Sequence, residues 1–279
     1  MGAAHGGHPL LSLPGPVPIA HRGGSAVWPQ NTMAAFEGAI GLGYRFLETD
    51  VQATSDGVLA VFHDDALAPV SDREGRISEM TWSEVSVARV RGEPIPRLEE
   101  LLDAFDDVRI SIDPKTDATV EPLIEALKRP GVLDRTCVGS FSDARLERID
   151  EAFGEAVCLS FSPREIARLR LLSAAGLRPL PSRQPRSGTK RPQRRDRPFR
   201  GRIASIPLRQ GLIPLATRRF VQHAQRAGVA VYVWTVDDPV EMGRLLDIGV
   251  DGIMTDEPEV LLEVMVERGL WPAGGEAST

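Results

Sequence analysis

The chain of 279 residues has only two cysteines, Cys137 and Cys158. Both lie in apolar segments that read as strands. They are expected to be buried core thiols, which excludes a disulfide framework or a thiolate metal site. No apolar run is long enough to span a bilayer. The segment from Met1 to Pro18 lacks the basic start and apolar core of a secretory signal. A cytoplasmic location is therefore the default expectation. The chain lacks net positive charge: the formal value is −6, which argues against a nucleic-acid binder by bulk electrostatics. There is no Gly-x-Ser-x-Gly elbow for acyl transfer. The glycine-rich dinucleotide fingerprint after the first strand is missing as well. What remains is an ordinary globular composition, 42% hydrophobic and 26% charged, with ample material for a core.

The organisation is an alternation of short apolar runs with amphipathic segments. Strands are expected at Pro18–Ala20, Arg45–Val51, Val108–Ile112, Thr136–Ser140, Ala156–Ser160, Ile203–Ile206, Val229–Trp234 and Gly252–Thr255. A helix is expected after each, from Met33–Ile40 to Glu259–Glu267. Glycines stand at the helix-to-strand joints: Gly43, Gly131, Gly154, Gly228 and Gly249. Helix, glycine, apolar strand is the pattern of a parallel α/β architecture, and eight such units suggest an eight-fold (β/α) TIM barrel. An open doubly wound sheet is the runner-up. Residues 1–16 are expected to be a flexible tail in which His5 and His8 have no role. Residues 17–279 then form one barrel domain, with a hairpin and insertion at 52–107, of which Ala66–Arg91 reads as polar and irregular. Residues 181–202 carry nine basic side chains against Asp196, a net +8 that leaves −14 for the rest. This stretch is expected to be a solvated, disordered insert; the alternative is a polybasic arm for anionic lipid or polyphosphate.

The chemistry-bearing residues gather where strands end. Glu48 and Asp50 alternate along the second strand, so they share a face. Two such carboxylates repel unless a cation lies between them, and hard ions such as Ca²⁺ or Mg²⁺ favour oxygen ligands. Asp56-Gly57 separates two apolar runs, a strong hairpin signal. If these are the two turn residues, cross-strand partners sum to 113 and Asp50 lies opposite His63. His21-Arg22 closes the first strand. Asp113 and Lys115 follow the third, Ser140-Phe141 the fourth, Trp234 the seventh. Asp256 follows the eighth and reads most simply as a helix N-cap. Barrel enzymes carry their active sites at this rim. Two histidines, carboxylates for a metal, an arginine and a lysine suit a phosphodiester. Cations hold the charge of the non-bridging oxygens, while histidines, neutral or charged near pH 7, move protons to and from oxygen.

These segments resemble the glycerophosphodiester phosphodiesterases over most of the chain. The likeness is carried by His21-Arg22-Gly23, Pro29-Gln30-Asn31-Thr32, Glu48-Thr49-Asp50-Val51, Asp56-Gly57 before His63-Asp64, Ile95-Pro96-Arg97-Leu98, Ser140-Phe141, Val233-Trp234-Thr235 and Gly249–Asp256. The resemblance implies a metal-dependent barrel in which His21 and His63 are the acid/base pair. It implies that Arg22 binds phosphate, with Lys115 and Trp234 as further substrate contacts. It implies that Glu48 and Asp50, with Asp113, hold one divalent Ca²⁺ or Mg²⁺. The chain departs from the family at Gln30, where glutamate is common, at Asp113, where glutamate precedes x-Lys, and at Leu67-Ala68-Pro69. The implied reaction turns glycerophosphocholine or a similar diester into glycerol 3-phosphate and an alcohol. The alternatives are a phospholipase D-like or lysophospholipid-cleaving enzyme on the same barrel, and a catalytically impaired phosphate-ligand binder.

Overall fold

The computed structural model describes residues 8–13, 15–177 and 199–271. Eight parallel strands form the frame: β1 Val17–His21, β2 Phe46–Ala53, β3 Arg109–Pro114, β4 Thr136–Val138, β5 Cys158–Leu159, β6 Ile203–Pro207, β7 Ala230–Trp234 and β8 Gly252–Thr255. Their order in the sheet is β5-β4-β3-β2-β1-β8-β7-β6. The ring closes between β5 and β6 through a parallel bridge of Ser160 with Ile203. Two backbone hydrogen bonds support that seam, from Arg202 N to Leu159 O (2.8 Å) and from Phe161 N to Ile203 O (2.7 Å). The eight-fold barrel expected from the alternation is the observed fold. No described helix is long and apolar enough to cross a membrane.

Strand periodicity sorts the side chains into two layers. Leu47, Ile110, Ile112, Val138, Leu159, Ala204, Ile206, Val231, Val233 and Ile253 point outward and pack under the helices. Val17, Ile19, Phe46, Cys137, Cys158, Ile203, Ala230, Tyr232 and Met254 point inward and fill the barrel. Cys137 and Cys158 are register partners on β4 and β5, buried and free, as expected of core thiols. Following the inward positions two residues at a time toward the strand ends gives His21, then Glu48 and Asp50, then Asp113, Trp234 and Asp256. The interior is thus apolar below and charged above.

Residues 8–13 are not a loose tail. Pro9–Ser12 forms a 3-10 turn whose N-cap is His8, and Leu10 is fully buried against the inward residues. Arg109 Nε donates to Leu10 O at 3.1 Å, so this turn closes the lower end of the barrel. The segment after β2 is also more ordered than its polar composition suggests. It holds a 3-10 turn Ile77–Glu79, a short helix Trp82–Val85 and a ribbon of Arg89–Val90 with Glu93–Pro94. Phe62, Leu67, Ile77, Val85, Val90 and Ile95 form a small core of their own. The basic stretch lies outside the described residues up to Pro198. Phe199 is buried and leads into the lower end of β6.

The hairpin after β2 exists, but its register differs by one. Val51 pairs with Val61, Gln52 with Ala60 and Ala53 with Leu59, a sum of 112. The turn is the longer loop Thr54–Val58. Thr54 N donates to Val58 O and Gly57 N to Thr54 O, both at 2.9 Å. Asp56 is drawn away from the turn axis: it accepts from Thr54 Oγ1 at 2.6 Å and from Trp82 N at 2.9 Å. Phe62, not His63, therefore stands opposite Asp50, and its N–H donates to Asp50 O at 3.1 Å. One residue of slip exchanges the two faces of a strand. His63 is placed by the chain beyond the strand, where Gln52 Nε2 donates to its carbonyl at 2.9 Å.

Candidate active site

The turn after β1 is built by close approach. Arg22 takes a left-handed φ of +52° and Gly23 one of +84°. A Cβ on Gly23 would lie 2.6 Å from Ala35 Cβ, so only glycine lets the turn seat on helix Met33–Gly41. Arg22 N donates to Glu48 O at 3.0 Å, tying the turn to β2. Asn31, also left-handed at φ +58°, precedes the helix and aims its side chain inward. Its Nδ2 donates to Asp50 Oδ2 at 3.0 Å, and its Oδ1 accepts from Thr49 Oγ1 at 2.9 Å.

Both histidines present the same arrangement. His21 Nδ1 lies 2.7 Å from Asp256 Oδ1, and His63 Nδ1 lies 2.7 Å from Asp64 Oδ1. Each aspartate fixes a tautomer with the proton on Nδ1 and leaves Nε2 for chemistry. His21 Nε2 stands 3.7 Å from Glu48 Oε2. Burial works against protonation of His21, but the charge of Glu48 and the Asp256 bond outweigh it and raise its pKa. The Asp256 carboxyl, although burial would raise it, is held below its usual range by His21.

The carboxylates divide by their surroundings. Glu48 is pushed up to about 7, first by burial and then by the charge of Asp50. Asp50 is buried as well yet stays low, because Lys115 and Arg22 overcome its desolvation. Lys115 Nζ lies 2.6 Å from Asp50 Oδ1 and 2.8 Å from Asp113 Oδ2. Burial raises Asp113 despite Lys115 beside it. Arg22 Nε is 3.0 Å from Asp50 Oδ2, an ion pair without hydrogen-bond geometry. Arg22 Nη1 donates to Gln30 Oε1 at 2.8 Å. Gln30 is neutral, so it orients the guanidinium without cancelling its charge.

The residues expected from the sequence therefore assemble unevenly. His21, Arg22, Glu48, Asp50, Asp113 and Lys115 form one contiguous network. His63 is held next to it by Asp64 and, through its carbonyl, by Gln52 on β2. Trp234 sits at the rim on β7, edge-on to Phe141 at 5.9 Å between centroids. It belongs to an aromatic side of the mouth, while the charged groups occupy the β8-β1-β2-β3 side. Asp256, expected as a helix cap, instead serves His21. The sign was available: closing a barrel sets β8 beside β1, and Ala20 pairs with Thr255.

The buried Glu48 and Asp50 and the half-buried Asp113 on the neighbouring strand fit a hard divalent cation in donor chemistry. Among the described residues, however, no three His, Cys, Asp or Glu side chains converge as a ready-made metal cluster. Asp50 and Asp113 converge on the Lys115 ammonium.

Known proteins give the family. Residues 21–260 match the sequence model of the glycerophosphoryl diester phosphodiesterase family. A Mycobacterium tuberculosis protein named "Probable glycerophosphodiester phosphodiesterase 2" is 37% identical over 265 residues, covering 92% of this chain and 93% of its own length. A glycerophosphodiester phosphodiesterase of Caldanaerobacter subterraneus is 29% identical over 267 residues, covering 90% of this chain and 98% of its own length. An Oleispira antarctica phosphodiesterase, solved with its product sn-glycerol-3-phosphate, superposes with a TM-score of 0.69 at 21% identity, over 90% of this chain and 97% of that one. That last likeness speaks to the barrel alone. The family match begins at the rim histidine of β1 and ends in the final helix, and the 37% relative spans nearly the whole chain: this chain belongs to the glycerophosphoryl diester phosphodiesterase family.

Proposed function

We propose that this chain hydrolyses glycerophosphodiesters to glycerol 3-phosphate and an alcohol, with His21 and His63 as the proton-transfer pair. The observation that carries the reading is the shared arrangement of those histidines. Each is tied at Nδ1 to an aspartate at 2.7 Å, and His21 stands in one network with the half-buried Arg22 and Lys115. One Nε2 takes the proton of the attacking hydroxyl as its oxygen bonds to phosphorus. The other Nε2 gives a proton to the departing alcohol oxygen as its bond to phosphorus breaks. Arg22 meets a non-bridging oxygen with a charge that Gln30 orients. Glu48, Asp50 and Asp113 are the residues that would hold Ca²⁺ or Mg²⁺. Such an ion, when bound, neutralises phosphoryl oxygens and steadies the attacking group.

The test uses the leaving group. His21→Ala and His63→Ala should each lower turnover of glycerophosphocholine by about two orders of magnitude or more, the usual scale for removing an acid or base. With a p-nitrophenyl diester, whose leaving group needs no proton, the variant lacking the acid should recover most of its rate. The variant lacking the base should not. Near wild-type turnover of glycerophosphocholine in either variant removes that histidine from the mechanism.

A further inference from the structure

The chain spends its positive charge on arginine: of 33 basic side chains only Lys115, Lys128 and Lys190 are lysines. One of the three stands at the centre of the charged network. Its position is set by register, since β2 pairs with β3 so that Asp50 faces Asp113. A buried and a half-buried carboxylate thus confront each other across adjacent strands. Lys115 follows Asp113 by two residues, and its N–H donates to Val51 O at 3.1 Å, holding the chain alongside β2. Its ammonium reaches both carboxylates, at 2.6 and 2.8 Å. The Asp50 side chain is only 2% exposed, and Lys115 is 18% exposed. An arginine would meet one carboxylate with a planar fork. A lysine ends in a compact point charge that can stand between two oxygens as a monovalent ion does.

We infer that Lys115 is a resident, exchangeable cation of this site: its ammonium and a divalent metal compete for Asp50 and Asp113, and metal binding releases Lys115 toward the phosphate of the substrate. The inference rests on the metal reading given above and adds a mover to it. Where it stands, Lys115 keeps these two carboxylates from repelling one another. With metal, the same carboxylates are taken and the ammonium, repelled by the ion, swings into the mouth. An anionic phosphate is the partner that a freed ammonium meets there. Metal and phosphate then reinforce each other's binding through one side chain.

The experiment is amine acylation of the wild-type chain, read residue by residue by mass spectrometry. It is run with no metal, with saturating Ca²⁺ or Mg²⁺, and with metal plus glycerol 3-phosphate. Metal binding is measured in parallel by calorimetry. Lys128, on the surface beside Glu125, is the internal control. Metal should raise modification of Lys115 several-fold relative to Lys128, and glycerol 3-phosphate should suppress it again. In Lys115→Gln, metal affinity without phosphate should tighten about tenfold or more, as expected on removing a charge a few ångströms away. Tightening alone does not suffice, because any nearby cation opposes a metal; the labelling is therefore followed over a range of pH, so that a lower amine pKa beside the metal is told apart from a side chain that moves. The labelling arm needs no variant, so poor folding of Lys115→Gln leaves the test intact. Metal that binds while Lys115 stays protected overturns the exchange and leaves the metal site standing. Calorimetry that finds no metal binding in either protein overturns both.

Discussion

Asp256→Asn is the most informative single substitution, because it removes a charge beside His21 while keeping the size of the side chain. Asp256 Oδ1 lies 2.7 Å from His21 Nδ1 and accepts from Ser25 Oγ at 2.5 Å. Asp237 Oδ1 in turn accepts from Asp256 N at 2.8 Å and from Thr255 Oγ1 at 3.0 Å. The carboxylate is therefore aimed before any substrate arrives. An asparagine keeps an oxygen for Nδ1–H but loses the charge assistance, and a rotated amide would impose the opposite tautomer. A hydrogen bond to a charged group contributes about 1.5–3 kcal/mol, so kcat should fall roughly ten- to hundredfold. KM should change little, since Asp256 acts through His21. The pKa of His21 is raised because Glu48 and Asp256 outweigh burial, so removing one of them must lower it. The limb of the kcat/KM–pH profile that reports His21 should move to lower pH. Stability follows the same sign. A raised histidine contributes stability present below its unfolded value of 6.5 and lost as pH rises through the folded value. The variant should therefore melt earlier than wild type at acid pH and draw level at alkaline pH. Unchanged kcat with an unshifted profile would refute the positioning of His21 by Asp256.

Three further expectations follow from the same network. Glu48 holds its proton up to about 7, so metal uptake at pH 6 should release a proton and weaken as pH falls. Calorimetry in buffers of different ionisation heat counts that proton, and a count of zero would contradict the raised value. Asp113→Asn should weaken metal affinity; unchanged affinity would leave Asp113 as a partner of Lys115 alone. Gly23→Ala places a Cβ 2.6 Å from Ala35 Cβ at a φ of +84°, and should cost about 2–4 kcal/mol in urea unfolding. A loss under about 0.5 kcal/mol would show that the turn yields freely.

The barrel was legible because its signals are local. Each strand is a short apolar run, each helix has its own stripe, and glycine closes the helix that precedes β8, where Gly249 takes φ +82°. The rim residues were legible for the same reason, since they sit where apolar runs end. What escaped depends on contacts distant in sequence or on the details of a turn. The Asp256–His21 bond joins residues 235 apart and exists only because the sheet closes on itself. The hairpin register failed because Thr54 and Trp82 recruit Asp56, which lengthens the turn by more than its Asp-Gly signal implies. The plug at Pro9–Ser12 escaped because its burial comes from the barrel floor, not from any periodicity in a stretch so short. Trp234 ends β7 at the rim, as its place in the sequence implies, yet only three dimensions show that it packs edge-on against Phe141.

We propose that a carboxylate-bound cation and two histidines together cleave a glycerophosphodiester in this barrel. The most direct test is release of glycerol 3-phosphate from glycerophosphocholine by the purified chain, with Ca²⁺, with Mg²⁺ and with EDTA. Release with at least one metal and its loss in EDTA is the expected result. Release that continues undiminished in EDTA, or no release with either metal, would contradict it.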